Sequence, residues 1–172
     1  MVLKSKKESI NAYIGLGSNL GQPEENLLSA INEIQSLEGV RITKKSRVYW
    51  TEPQGFKEQP WFANQVIEVS CARMWTPHNL LTALLTIEKR LGRKRFQKWE
   101  PRNIDLDLLL FDQEVMTTEF LTLPHPELKN RAFVLVPLLE ISPDLQLPDQ
   151  TRIKDIIQNL SYKFKENRIW QD

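Results

Sequence analysis

The chain has 172 residues, of which 41% are apolar and 26% are charged, and its 23 Lys and Arg nearly balance its 22 Asp and Glu. This length predicts one domain, and the composition is typical of a folded globular protein rather than a disordered chain. A formal net charge of +1 excludes a protein that acts mainly as a polycation on nucleic acid or on an anionic membrane.

Cysteine content and the ends of the chain give further limits. Cys71 is the single cysteine of the sequence, which favours a reducing compartment and predicts a cytoplasmic protein. No apolar run approaches the roughly 20 residues of a membrane span. The basic segment 1–9 lacks the apolar region of a secretory signal, so we expect a disordered leader there. A single domain over 10–160 and a tail at 161–172 complete the predicted organisation.

A strand and a helix open the predicted domain. Residues 10–16 form an apolar run that ends at Gly17, which indicates a strand. The helix begins at Pro23, because proline is favoured in the first turn, and its apolar residues recur at helical spacing as far as Leu37. Gly39 then supplies the helix end.

Two more strands and a second helix follow. The segments 40–50 and 66–71 are rich in residues that favour strands. Thr76 as a helix cap and Pro77 at the first helical position predict a helix that ends before Gly92.

The next segment, 103–111, alternates in polarity and predicts a fourth strand. One face would carry Ile104, Leu106, Leu108 and Leu110, and the other Asp105, Asp107, Leu109 and Phe111. The resulting order of elements predicts an α+β fold, the ferredoxin-like βαββαβ sandwich, in which helices cover one face of an antiparallel sheet and leave the other free.

Beyond this strand we expect C-terminal additions to the same domain. Residues 120–123 predict a short strand, and 154–160 a last helix. The apolar run 132–141 fits a strand or a helix; its length and leucine content favour a helix, with Pro137 predicting a kink or an early end.

Asp105 and Asp107 form the most informative pair in the sequence. Because the two aspartates are two residues apart on a predicted strand, their side chains would lie on the same face of the sheet. Carboxylates this close repel each other unless a cation lies between them, and Mg²⁺ typically binds one or two carboxylates together with water and phosphate oxygens. We therefore predict a Mg²⁺ site; the alternative is a pair of solvated aspartates on an exposed strand face.

The segment before this strand is strongly basic. It shows no apolar period and predicts a loop. One arginine side chain can bind two phosphate oxygens at once, so a basic loop beside a Mg²⁺ site favours binding of a nucleoside triphosphate. Taken alone, a basic loop is more typical of a solvated surface. Trp99 within it would be either an anchor to the core or a stacking lid. The basic residues are Arg93, Lys94, Arg95, Lys98 and Arg102.

Three shorter motifs carry polar, aromatic or glycine residues. Prolines on both sides fix the backbone of His125, which could extend a phosphate site with Arg131, although a lone histidine is more often structural. Phe62 and Asn64 could hold a planar heterocycle, although such a pair is more often part of a core. Residues 15–21 match neither the dinucleotide fingerprint nor a P-loop, so we interpret them as a tight strand-to-helix turn.

Five short sequence motifs occur in a recognisable order: YIGLGSNLG at 13–21, FAN at 62–64, PRNIDLD at 101–107, LPH at 123–125 and KNRAF at 129–133. This series resembles the 6-hydroxymethyl-7,8-dihydropterin pyrophosphokinases (HPPK) of folate biosynthesis. The resemblance runs from about residue 12 to about residue 149, and the Pro-Arg-x-x-Asp-x-Asp element is its most specific part. It implies transfer of the β,γ-diphosphate of ATP to the hydroxymethyl oxygen of the pterin, with release of AMP.

The resemblance also implies roles for individual residues. Asp105 and Asp107 would bind two Mg²⁺ ions and, with Arg93 and Arg95, would be catalytic. The pterin ring would lie between Phe62 and Phe133. The residues implied to contact ATP are Glu88, Arg93, Arg95, Arg102, His125 and Arg131, and those implied to contact the pterin are Thr51, Phe62, Asn64, Trp99 and Phe133. We expect a monomer whose partners are these two small substrates, with no nucleic acid or membrane partner.

Two other functions fit parts of the pattern. A palm-like nucleotidyltransferase also combines a ferredoxin-like sheet with paired aspartates and Mg²⁺, but it binds a polynucleotide, which the near-neutral charge does not favour. An RNA-binding module would use aromatic residues on its central strands, where this chain carries Asp105 and Asp107, which would repel phosphate.

Overall fold

A seven-stranded sheet forms the centre of the fold. The computed structural model describes residues 9–53, 58–92 and 103–171. In chain order, the first elements are β1 (Ser9–Ser18), α1 (Pro23–Gln35), β2 (Val40–Lys45), β3 (Tyr49–Thr51), β4 (Phe62–Ala72), α2 (Pro77–Arg90) and β5 (Asp105–Phe111). They are followed by β6 (Met116–Thr117), β7 (Thr122–Leu123), a 3₁₀ turn (Leu128–Asn130), α3 (Ala132–Ile141), α4 (Ile153–Ile157), β8 (Lys163–Lys165) and β9 (Arg168–Trp170).

The strand order is β5-β1-β4-β3-β9-β8, and β2 also pairs with β4. Antiparallel pairing joins β1 to both β4 and β5, and joins β4 to β2 and β3. The short strand β9 lies parallel to β3. A separate two-stranded sheet contains β6 and β7. The described residues therefore form a mixed α+β domain around one central sheet, and none of their helices has the length and apolar character needed to cross a bilayer.

The predicted helices at 23–37 and 77–91 are confirmed as α1 and α2. The Thr76 cap is confirmed as well, because its hydroxyl accepts a hydrogen bond from the Asn79 amide while the Asn79 side chain accepts one from the Thr76 amide. Both helices pack on the same face of the sheet through buried aliphatic residues. This layer includes Ile14, Leu27, Ile34, Leu80, Leu84, Ile87 and Leu106.

The predicted single strand at 40–50 was wrong, because the structure divides it into β2 and β3. The backbone amide of Ser46 donates to the carbonyl of Val66, and the Ser46 hydroxyl accepts from the amide of Val66. A side-chain oxygen thus takes the place of the backbone carbonyl that would continue the strand ladder. In contrast, β4 begins at Phe62, earlier than predicted, because its first residues pair with the end of β1.

A bulge interrupts the pairing between β1 and β5. Tyr13 lies opposite Leu110 and Ile14 opposite Leu108, so Leu109 is the extra residue. Leu110 consequently joins Leu109 on the side of α3, while Phe111 returns to the side of α1 and α2. The predicted alternation was wrong for these last two residues, because strict alternation requires an uninterrupted register.

The second face of the sheet is covered, contrary to the expectation that it would be free. The run 132–141 is a helix, as favoured, and it continues through Pro137. Together, α3 and α4 pack on this face around residues that include Tyr13, Val66, Leu109, Leu135, Leu138 and Ile153. The predicted strand at 120–123 is shortened to β7, and the predicted helix at 154–160 is observed as the shorter α4, which ends at Ile157.

Polar contacts fix the end of α3 to the sheet. Glu140 accepts hydrogen bonds from the hydroxyl of Tyr49 at 2.7 Å and from the guanidinium of Arg47 at 3.2 Å. The ammonium of Lys44 donates to the carbonyl of Ile141 at 3.0 Å, where a cation also interacts favourably with the helix dipole. These contacts connect α3 to β2, β3 and the segment between them.

The segment 161–172, which we predicted to be a tail, contains the hairpin of β8 and β9. Its second strand adds to the main sheet beside β3. No sequence pattern indicates this hairpin, because strands of three residues are too short to show a period. Of the predicted leader 1–9, residues 1–8 lie outside the described residues, and Ser9 is the first residue of β1.

Glu88 is a charged residue in the core, only 2% exposed, near the end of α2. Its carboxylate accepts a hydrogen bond of 2.7 Å from the backbone amide of Leu106 on β5. Leu106 lies between Asp105 and Asp107, so this bond connects α2 to the peptide between the two aspartates.

We expect Glu88→Ala to lower the free energy of unfolding by about 1–3 kcal/mol, because it removes the acceptor of a buried amide. Glu88→Gln should cost less, since its amide oxygen can accept the same bond. Denaturant unfolding measures both changes, and Lys89→Ala, at an exposed position of the same helix, is the matched control. Equal stability of Glu88→Ala and Lys89→Ala would contradict the role of this hydrogen bond.

Candidate active site

An open cleft lies on the face of the sheet that carries α3. It encloses about 800 Å³ of empty space, part of it open to solvent. Strands β1, β4 and β5 form its floor, while the end of β3 and the start of α3 form its walls. The residues that line it are Gly15, Leu16, Gly17, Thr51, Glu52, Gln59, Phe62, Asn64, Gln65, Val66, Asp105, Asp107, Leu109, Arg131, Phe133 and Val134.

The structure brings Asp105 and Asp107 together on this floor. The intervening Leu106 and the preceding Ile104 are buried on the opposite face, beneath α1 and α2. Alternation along β5 therefore directs both carboxylates into the cleft, as the sequence predicts. The bulge at Leu109 comes after the pair and leaves this orientation intact.

Glycine residues face both aspartates across the sheet. Gly17 pairs with Asp105 and Gly15 with Asp107. Our interpretation of 15–21 as a turn was wrong for these two residues, because they lie inside β1; Gly21, with a φ of 62°, is the glycine in the turn. Without side chains at positions 15 and 17, the cleft stays open in front of the carboxylates.

His125 and Arg131 stand beside Asp107. The Nε2 atom of His125 is 3.9 Å from one carboxylate oxygen of Asp107, and the Nη1 atom of Arg131 is 3.9 Å from the other. The His125 backbone amide donates to the carbonyl of Leu109, and its Nδ1 atom accepts a hydrogen bond from the amide of Glu127. This acceptor role places the proton of a neutral imidazole on Nε2, the atom that faces Asp107.

The other end of the cleft is aromatic. Phe62 and Phe133 both line it, from β4 and α3. Between β3 and β4, the side-chain amide of Asn64 donates to the hydroxyl of Thr51 at 2.8 Å, and both residues are almost fully buried. The guanidinium of Arg131 lies 5.7 Å from the ring centroid of Phe133, so it connects the aromatic end to the carboxylates.

Five other predicted site residues are not among the residues described as lining the cleft. Glu88 is beneath the sheet, bonded to Leu106, and is not part of the cleft lining. Arg93, Arg95, Trp99 and Arg102 lie outside the described residues. Their segment joins the end of α2 to β5, the strand that carries both aspartates.

Asp105 and Asp107 are the described residues that fit a divalent cation. No group of three or more His, Cys, Asp and Glu side chains within 9–53, 58–92 and 103–171 is arranged to hold a metal ion. An ion at the aspartates would therefore complete its coordination with water and with substrate oxygens, which is the usual arrangement for Mg²⁺.

Sequence reasoning missed part of the cleft rim. The side-chain amide of Asn19 donates to the side chain of Gln59 at 2.9 Å and to the carbonyl of Pro60 at 3.1 Å. These bonds connect the turn after β1 to the segment before β4, and Gln59 lines the cleft. The partners are about 40 residues apart, so no local pattern could reveal them.

Stability should depend on pH through His125. Burial, followed by the nearby charge of Arg131, lowers the pKa of His125 below its ordinary value of 6.5. Below that pH the unfolded state binds more protons than the folded state, so stability falls as the pH decreases. His125→Asn removes this titration and can retain an acceptor for the Glu127 amide.

We therefore expect the melting temperature of the ligand-free protein to fall relative to that of His125→Asn between about pH 7.5 and pH 5. Differential scanning fluorimetry across this range measures the difference. Parallel curves for the two proteins would contradict the lowered pKa.

Comparison with known proteins identifies relatives over most of the chain. Residues 13–143 match the family model described as 7,8-dihydro-6-hydroxymethylpterin-pyrophosphokinase (HPPK). The protein named 2-amino-4-hydroxy-6-hydroxymethyldihydropteridine pyrophosphokinase from Methylorubrum extorquens is 42% identical over 140 residues, which cover 81% of this chain and 87% of that protein. The protein of the same name from Haemophilus influenzae is 39% identical over 152 residues, covering 88% and 94%.

A solved structure shares the fold. Wild-type HPPK-DHPS from Plasmodium falciparum, crystallised with pteroate, superimposes with a TM-score of 0.69 at 13% identity. The match covers 97% of this chain and 48% of that one, so the chain spans about half of the solved protein's length. The family match and the close relatives together show that this chain belongs to the HPPK family and is a pyrophosphokinase of folate biosynthesis.

Proposed function

We propose that this enzyme transfers the β,γ-diphosphate of ATP to the hydroxymethyl oxygen of 6-hydroxymethyl-7,8-dihydropterin and releases AMP. One observation carries the proposal: a single cleft joins a pair of carboxylates, flanked by His125 and Arg131, to a pair of aromatic rings. The first group suits a metal-bound triphosphate, and the second suits a flat heterocycle. The family membership of the chain supports the same reaction.

The aromatic end would bind the pterin. Phe62 on β4 and Phe133 on α3 both line the cleft and offer two apolar surfaces for a planar ring. Thr51 and Asn64 would bind the polar edge of the ring. Because they are hydrogen-bonded to each other before substrate arrives, their orientation costs little entropy on binding.

The polar end would bind the triphosphate with two Mg²⁺ ions held by Asp105 and Asp107. When bound, Mg²⁺ would neutralise phosphate charge and polarise the attacking hydroxyl. The fit rests on two hard oxygen ligands on one strand face, opposite glycines that leave room for substrate. Two ions on two carboxylates would need substrate oxygens for most of their coordination.

The protein's own groups would act on charge and alignment. Arg131 would pair with phosphate oxygens and stabilise the negative charge of the transition state. Neutral His125 would donate a hydrogen bond from its Nε2–H group to a phosphate oxygen and keep that proton throughout. Reactions of this type require positioning and charge neutralisation more than covalent chemistry. The roles of Arg93, Arg95 and Arg102 on ATP, and of Trp99 on the pterin, rest on the family resemblance alone.

We also propose that the domain core is a ferredoxin-like βαββαβ sandwich. The four longer strands lie in the order β5-β1-β4-β2 with antiparallel neighbours, and α1 and α2 pack on one face. The short strand β3 and the elements after β5 would then be additions. This arrangement explains why the end of β1 and the start of β5 lie side by side at the cleft.

A cytoplasmic monomer fits the described residues. Cys71 is buried, and burial raises the pKa of its thiol to about 11, as expected of a structural thiol rather than a reactive one. The cleft of a single chain carries both the carboxylates and the aromatic residues, and we propose a monomer because both substrates are small molecules.

The identity of the nucleotide product tests the reaction. The protein is incubated with ATP, Mg²⁺ and 6-hydroxymethyl-7,8-dihydropterin, and nucleotides are separated by chromatography. We expect AMP to appear only when the pterin is present. Pterin-dependent ADP would mean transfer of a single phosphate, and release of pyrophosphate would mean nucleotidyl transfer; either result would contradict the proposal.

Asp107→Asn tests the metal site. We expect turnover to fall by more than about a hundredfold at every Mg²⁺ concentration, because the variant keeps the shape but loses the charge that holds the ion and aligns the phosphates. Asp112→Asn is the matched control, since it makes the same change in the turn after β5, outside the cleft lining. Near-normal turnover of Asp107→Asn would contradict the assignment.

A further inference from the structure

The side chain of Gln171 makes two hydrogen bonds to the backbone of the residues on either side of Arg131. Its side-chain nitrogen donates to the carbonyl of Asn130 at 2.7 Å, and its side-chain oxygen accepts from the amide of Ala132 at 2.7 Å. The bonded groups lie immediately before and after Arg131 in the chain. One side-chain amide therefore holds the backbone on both sides of the arginine that faces Asp107.

The second bond also completes the start of α3. Arg131 is the residue before the helix, with extended backbone angles, and its side chain makes no capping hydrogen bond. The first amides of a helix have no partner within the helix and are usually satisfied by a nearby side chain. Gln171 provides that partner for Ala132 and leaves the Arg131 guanidinium directed into the cleft.

Packing of the hairpin holds Gln171 in place. Strand β9 pairs with β3, and Ile169 lies opposite Thr51. Ile169 is 1% exposed and packs against Tyr49 and Ala132, which are also buried. The segment 163–171 thus contacts both the strand that carries Thr51 and the first residue of the helix that carries Phe133.

We propose that Gln171 is a positioning residue that sets the direction of the Arg131 guanidinium. The inference rests on the proposed function, in which Arg131 binds the triphosphate. Arg131 lies between two partners, Asp107 at 3.9 Å and the ring of Phe133 at 5.7 Å. A change in the backbone angles of residue 131 would move the guanidinium away from both, and an error of about 1 Å in such a group can cost about a hundredfold in rate.

The first experiment measures turnover of Gln171→Ala. We expect kcat to fall about tenfold while the affinity for the pterin stays within about twofold, because the change acts through a transition-state contact. Gln35→Ala is the matched control: the Gln35 side chain also accepts a backbone hydrogen bond, from Ile42, but on an exposed surface outside the cleft lining. The control should keep the wild-type kcat.

The second experiment separates positioning from general structural support. Affinities for the Mg²⁺ complex of α,β-methylene ATP are measured by calorimetry for the wild type, Gln171→Ala, Arg131→Ala and the double variant. If Gln171 acts through Arg131, Gln171→Ala weakens binding in the wild type and has no further effect in Arg131→Ala. This readout requires no turnover.

Several outcomes would overturn the inference. An unchanged kcat of Gln171→Ala in an active enzyme would show that Arg131 is oriented without Gln171. Equal losses of affinity in the two backgrounds would show that Gln171 supports the fold rather than Arg131. The proposed function fails separately, if the wild-type protein produces no pterin-dependent AMP.

Discussion

The antiparallel pairing of β1 with β5 is the constraint on which the site depends. This pairing determines that Asp105 and Asp107 lie on the cleft face of β5. It also places Gly17 and Gly15 of β1 directly opposite the two aspartates. The bulge at Leu109 lies beyond the pair, so the change of face affects only the hydrophobic end of β5. Because a shift of one residue would exchange the faces, the register determines whether the carboxylates reach the cleft or the core.

The walls of the cleft depend on segments that are distant in sequence. Helix α3 is fixed near its end by Glu140 and Lys44, and at its beginning by Gln171. Phe133 and the preceding cap residue Arg131 therefore lie at the start of a helix that is held at both ends. The β8–β9 hairpin supports the same wall and β3 together, which couples the position of Thr51 to that of α3.

Local signals in the sequence predicted the helices and the carboxylate pair. Helical spacing with a cap and alternation on a strand involve neighbours in the chain, so Pro77 and Asp107 could be placed without knowledge of the fold. The break at Ser46 and the hydrogen bonds of Glu88 and Gln171 could not be predicted, because their partners are backbone atoms of remote segments. The pairing of Phe62 with Phe133 at the aromatic end came from the family resemblance, since the two residues line one cleft only after folding.

The glycines of β1 also bear on inhibition of the enzyme. A ligand that binds against Gly15 and Gly17 contacts main-chain atoms, because glycine has no side chain. Substitutions do not remove main-chain atoms. A methyl group at position 17 would approach the Asn64 side-chain oxygen to 3.3 Å, and one at position 15 would touch Leu109 at 3.5 Å. A larger residue at position 15 or 17 that weakened binding of such a ligand would also narrow the space that we propose for the substrates. A substitution in this part of the cleft floor that confers resistance to the ligand is therefore expected to lower the activity of the enzyme as well.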